Sequence, residues 1–113
     1  MPVQQKADQK QDVISPSIDE MRTHAADAAG LMKALGNESR LMILCTLVDG
    51  ERSVSELNAV IPLSQSALSQ QLARLRSQGL VETRRESQTI FYSLAPGPAD
   101  KVIHVLHDLY CGT

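Results

Sequence analysis

Residues 64–79 read SQSALSQQLARLRSQG, and the way this stretch divides on a helical wheel decides the fold. At about 100° per residue, Leu68, Leu72 and Leu75 fall on one side, and Ser66, Gln70, Ala73 and Ser77 fall opposite. A merely solvated face usually carries Glu and Lys, which favour helix. Serine and glutamine are poorer choices unless their hydrogen-bonding groups are wanted. Ser64 is placed to cap this helix and Gly79 to end it.

Working outward, Ser53 with Glu56 forms a capping box that opens a preceding short helix, which ends near Pro62. Two short helices joined by a few residues make a helix-turn-helix, the second displaying the amide-bearing face. Beyond Gly79, LVETRR (80–85) and TIFYSL (89–94) read as two strands around ESQ (86–88), a hairpin placed as a wing. Glutamine pairs bidentately with adenine, serine donates or accepts at several base edges, and alanine permits close approach or contact with a thymine methyl, so the exposed face suits a major groove. Candidate DNA contacts are therefore Ser64, Gln65, Ser66, Ser69, Gln70, Ala73 and Arg74 on the helix. Arg84, Arg85 and Gln88 are the candidates on the wing, the two arginines reaching phosphate or minor groove.

Further out, Asn37 caps a helix through ESRLMILCTLVD (38–49) to Gly50, with Leu41, Leu44, Cys45 and Val48 on one stripe. Before it, Ser17 with Glu20 opens a helix whose Ile18, Met21, Ala25, Ala28, Met32 and Leu35 form a narrow seam, suited to packing within its own domain or against a second copy. PGPADKVIHVLHDLYC (96–111) returns to helix with Pro98 in its first turn and Val102, Leu106 and Leu109 as its apolar stripe. The expected fold is mainly α with a small β-hairpin: four helices, the hairpin and a last helix, a winged helix-turn-helix over residues 17–113. Polar, aperiodic residues 1–16 read as a flexible tail.

With 113 residues the chain has room for one domain and a modest core, marginal enough that pairing with a copy is a standing expectation. A formal charge of −2 argues against blanket attraction to nucleic acid. Its distribution is uneven: between residues 74 and 85, Arg74, Arg76, Arg84 and Arg85 face only Glu82. The N-terminus has no apolar core of signal-peptide length and no run approaches a membrane span, so a cytoplasmic protein is expected. In that compartment the two cysteines, Cys45 and Cys111, are read as reduced or redox-active rather than as a permanent bridge.

Residues 31–94, from LMKALGNESRLMIL through LSQSALSQQLARLRSQGLV to RRESQTIFYSL, closely resemble the ArsR/SmtB family of dimeric winged-helix transcription regulators. The resemblance implies a homodimer through the first and last helices, an imperfectly palindromic operator on double-stranded DNA, and an effector that changes operator binding. Many members sense metals. One family site is a Cys-x-Cys pair at the start of the third helix, where this chain has Ser53 and Ser55, poor ligands for soft metals. Another needs Asp-x-His early in the last helix, where Asp100 is followed by Lys101 and Val102. One metal arrangement survives: His104, His107 and Cys111 at i, i+3 and i+7, with Cys45 as a possible fourth ligand.

Cys45 in RLMILC and Cys111 in HDLYC resemble the dithiol branch of the family, the BigR, SqrR and HlyU type, whose members join two thiols in response to persulfides, polysulfides and related oxidants. The resemblance implies that Cys45 and Cys111 are the redox switch, Cys45 being its buried half, that reactive sulfur species are the effector, and that no cofactor is needed. Some dithiol members have a third cysteine near the N-terminus; this chain has none there. A protonated His107, one turn before Cys111, favours the thiolate, while the C-terminal end of the helix dipole opposes it. The expected function is a transcriptional regulator, a repressor, that leaves its operator when the thiols are joined. The alternatives are metal-responsive repression, a thiol enzyme using Cys111 and His107 as nucleophile and base, and a protein-only interaction module. The enzyme lacks a phosphate loop, a third residue to orient the base and enough chain for a deep pocket.

Overall fold

The computed structural model describes residues 17–111, so the tail expected over residues 1–16 lies outside the described residues. Five helices and three strands follow one another: α1 (Ile18–Leu35), α2 (Glu38–Thr46), a single 3-10 turn (Leu47–Asp49), β1 (Arg52–Ser53), α3 (Val54–Val60), α4 (Gln65–Ser77), β2 (Val81–Glu86), β3 (Thr89–Leu94) and α5 (Pro98–Tyr110). They fall into two compact units divided between Ala34 and Leu35.

Local chemistry sets the helix starts. Ser17 and Glu20 exchange backbone and side-chain hydrogen bonds at 2.8 and 3.1 Å, as do Ser53 and Glu56. The Arg40 N–H donates to Asn37 Oδ1 at 3.0 Å, and the Ala67 N–H donates to Ser64 Oγ at 3.1 Å. Each of these caps was legible as a polar residue preceding an apolar period.

Within the first unit, α1 leaves its seam open. Ile18, Met21 and Met32 are exposed at 66%, 50% and 53%. In the second unit one core gathers Leu35, Ile43, Leu44, Leu47, Leu57, Ile61, the α4 leucines, Val81 and Ile103. Leu68, Leu72 and Leu75 are fully buried while Ser66, Gln70, Ala73 and Ser77 are exposed, as the wheel predicts.

Three readings need correction. The α2 stripe is turned: Ile43, Leu44 and Leu47 enter the core, whereas Leu41, Cys45 and Val48 are only half-buried. The helix stops at Thr46, whose hydroxyl donates to the Met42 carbonyl at 2.7 Å, and the chain tightens into the 3-10 turn before Gly50 at φ 136°. In α5 the core side is Ala99 and Ile103, with Val102 and Leu106 half-buried and Leu109 69% exposed.

The expected two-stranded hairpin is the larger part of a three-stranded antiparallel sheet of order β1-β3-β2. β2 and β3 pair from Val81↔Leu94 to Glu86↔Thr89, and β1 adds Arg52↔Tyr92 and Ser53↔Phe91. Two residues carry no period by themselves, so β1 exists only because β3 offers an edge beside it.

Candidate functional site

The reading head is built by α3 and α4. Asn58 Nδ2 donates to the Leu63 carbonyl at 2.9 Å, tying α3 to the turn that aims α4. Sequence reasoning did not single out Asn58, because nothing local marks a bond that closes five residues later. Asn58→Ala is expected to cost about 0.5–1.5 kcal/mol in urea unfolding, with operator affinity falling alongside.

On α4, Gln65, Ser66, Ser69, Gln70, Ala73 and Arg74 are all exposed. Ser64 is also exposed, but its hydroxyl already serves as the cap and lies 3.3 Å from Ser66 Oγ. The head therefore presents hydrogen-bonding groups opposite the fully buried Leu68, Leu72 and Leu75, and Gln88 stands exposed at the tip of the wing.

The two wing arginines, treated as equivalent in the sequence, are split by the pleat. Arg84 lies opposite Phe91 in the register, and its guanidinium sits 4.8 Å over that ring. Its Nε donates to both Glu51 oxygens at 3.2 Å, Nη2 donates to Glu51 Oε1, and Nη1 donates to Glu86 Oε1 at 3.1 Å. These bonds hold the Glu51 carboxyl below the ordinary carboxylate range and the Arg84 guanidinium still more firmly protonated. Arg85, its strand neighbour, is exposed on the opposite face of the hairpin.

Different effects follow for the two. Arg85→Ala is expected to weaken binding to every DNA sequence alike and to reduce the salt slope by about one unit. Arg84→Ala is expected to leave the slope nearly unchanged and to speed amide exchange at Arg52 and Ser53, since it unpins the wing from the Glu51 loop. Because the Glu51 carboxyl is lowered, its contribution is complete above the ordinary carboxylate range and is lost as pH falls through the folded value.

Both cysteines are free thiols. Cys45 is half-buried on α2, and Cys111 is exposed at the end of α5, its N–H donating to the His107 carbonyl at 2.8 Å. The packing of α2 against α5 brings them to the walls of the same two cavities. One, of about 300 Å³, is lined by Leu41, Met42, Leu106 and Tyr110 with Glu38 at its edge. The other, of about 390 Å³, also touches His107, Asp49 and, at the end of α3, Val60 and Ile61. Burial pushes the Cys45 thiol pKa up, and the neighbouring Cys111 pushes it further in the same direction. Cys45 is thus the more protected thiol, though half-buried rather than buried as expected.

The surviving metal arrangement is not assembled. His104 Nδ1 lies 2.8 Å from the Asp100 carbonyl oxygen and 3.1 Å from Asp100 Oδ1, so that nitrogen carries the proton and its ring is held on the exposed side of α5. His107 turns to the thiol cavity instead. Among the described residues no group of three His, Cys, Asp or Glu side chains is placed to hold a metal. No helix among them is long and apolar enough to cross a membrane.

Residues 37–83, which span the second helix through the first part of the wing, match the family described as bacterial regulatory protein, arsR family. The chain is 53% identical over 95 residues to the transcriptional activator HlyU of Vibrio cholerae, covering 84% of this chain and 88% of that one. The solved structure of reduced HlyU from that organism superposes with a TM-score of 0.78 over 83% of this chain and 99% of its own. The transcriptional repressor BigR from Xylella fastidiosa gives a TM-score of 0.80 at 43% identity, over 84% of this chain and 94% of its own. An amide-bearing helix set on a leucine core, a pinned wing and these likenesses lead to one conclusion: the chain belongs to the bacterial ArsR family and is a DNA-binding transcriptional regulator, not an enzyme.

Proposed function

We propose that this regulator is a dithiol sensor and acts as a repressor. A homodimer with Cys45 and Cys111 reduced holds an imperfectly palindromic operator, and a bridge between the two thiols of one protomer releases it. The observation that carries this reading is the meeting of two cysteines remote in sequence at cavities between α2 and α5. The likeness to HlyU and BigR, one solved in a form named as reduced, favours the same reading.

Chemistry supports the order of events. Cys111, exposed, meets the sulfur donor first, and Cys45, kept protonated by burial, closes the bridge onto it. The second cavity reaches Val60 and Ile61, the end of the helix preceding α4, so a bridge there acts on the aim of the reading head rather than on its DNA-contacting side chains. Homodimerisation draws on the open apolar residues of α1 (Ile18, Met21 and Met32) and, separately, on Val105, Leu109 and Tyr110 of α5.

The test is operator binding by fluorescence anisotropy, with reduced protein and protein treated with inorganic polysulfide, followed by peptide mapping of dimers mixed from light and isotopically heavy chains. Release accompanied by Cys45–Cys111 peptides of matched isotope is the expected result. Bridged peptides that join light to heavy chains, or full bridging without loss of DNA, would overturn it.

A further inference from the structure

We infer that the dithiol site selects uncharged, apolar sulfur donors, of the dialkyl polysulfide class, over hydrophilic anionic ones. The inference rests on the dithiol reading and adds the chemistry of the donor. Two observations carry it. The cavity of about 300 Å³ beside the two thiols is walled by Leu41, Met42, Leu106 and Tyr110, a surface from which a peptide or a hydrated ion gains nothing and an alkyl chain gains burial. Among the described residues of that wall the one charged side chain is the Glu38 carboxylate, which repels anions at its opening, whereas the neighbouring cavity sets Asp49 beside His107.

With a dialkyl trisulfide the reaction balances without any further oxidant. The Cys111 thiolate attacks the central sulfur, forming Cys111–S–S–S–R and expelling RS⁻, which takes up a proton. The Cys45 sulfur then attacks that same transferred sulfur, expelling the second RS⁻ with the proton Cys45 gives up. The products are a Cys45–S–S–S–Cys111 bridge and two RSH. Two cysteine thiols are oxidised, the trisulfide is reduced to two thiols, and its central sulfur remains in the bridge.

The test compares dipropyl trisulfide with glutathione trisulfide, which share the reactive S–S–S unit and differ in what flanks it. Bridge formation is followed by intact mass on the full-length protein, and each rate is divided by that of the same trisulfide with N-acetylcysteine amide. The native protein is expected to favour the dipropyl compound at least about tenfold after this normalisation. Glu38→Lys is expected to speed glutathione trisulfide severalfold and to leave dipropyl trisulfide within about twofold, as screening of a single rim charge predicts. Equal normalised rates, or a Glu38→Lys variant that moves both donors alike, would refute the selectivity while leaving the dithiol switch standing. Absence of any bridge with either donor would refute both.

Discussion

Cys45→Ser and Cys111→Ser are each expected to fold, to bind the operator as the native chain does, and to remain bound after polysulfide treatment that strips the native protein from DNA. Serine keeps nearly the shape of cysteine, and Cys45 is only half-buried, so neither substitution opens a cavity in the core formed by Ile43 and Leu44. The response should be lost completely in both, because a bridge needs two sulfurs. The size of the native response follows from population shift: turning a head that is almost always in register into one that almost never is takes about 5.5 kcal/mol of preference between two arrangements. A covalent tie at the end of α5 is able to supply a preference of that order, since it removes arrangements outright rather than weighting them. A direct disulfide needs α-carbons within roughly 7 Å, and inserted sulfurs lengthen the reach, so the mass of the bridge also reports the resting spacing of the two thiols. A single mutant that still leaves DNA in response to polysulfide would remove the intramolecular switch from consideration.

The second large effect belongs to the reading face. Gln70→Ala and Ser66→Ala are each expected to cost on the order of 1–3 kcal/mol of discrimination between operator and mismatched DNA. Both side chains are exposed in the free protein and stand opposite fully buried leucines, so truncating them should leave urea unfolding nearly unchanged. Affinity for nonspecific DNA should change little, because that component comes from phosphate contacts such as those expected of Arg85. The measurement is competition between operator and scrambled duplex at fixed salt. If Gln70→Ala leaves the ratio as it was, the helix meets the groove through another face, and Gln65, Ser69 and Arg74 become the positions to test.

Much of this protein was legible in the residues alone wherever the deciding interaction spans three or four positions. The pairs Ser17 with Glu20 and Ser53 with Glu56, and the caps Asn37 and Ser64, announce helix starts because a side chain reaches its own backbone within one turn. The division of α4 into leucines and short polar residues needed only its period. Tertiary structure decided what depends on a distant partner. The strand Arg52–Ser53 is made by the β3 edge, and the pinning of Arg84 is made by Glu51, a carboxylate 33 residues away. Which stripe of α2 and of α5 turns inward was settled by the surfaces those helices meet, since an apolar run such as LMILC offers the core more than one face. The two thiols belong with these: sequence supplied both, but only the packing of α2 on α5 puts them at common cavities, with His107 beside them at one. Short-range hydrogen bonding is written into neighbouring residues, whereas burial and long-range pairing are properties of which surfaces come together.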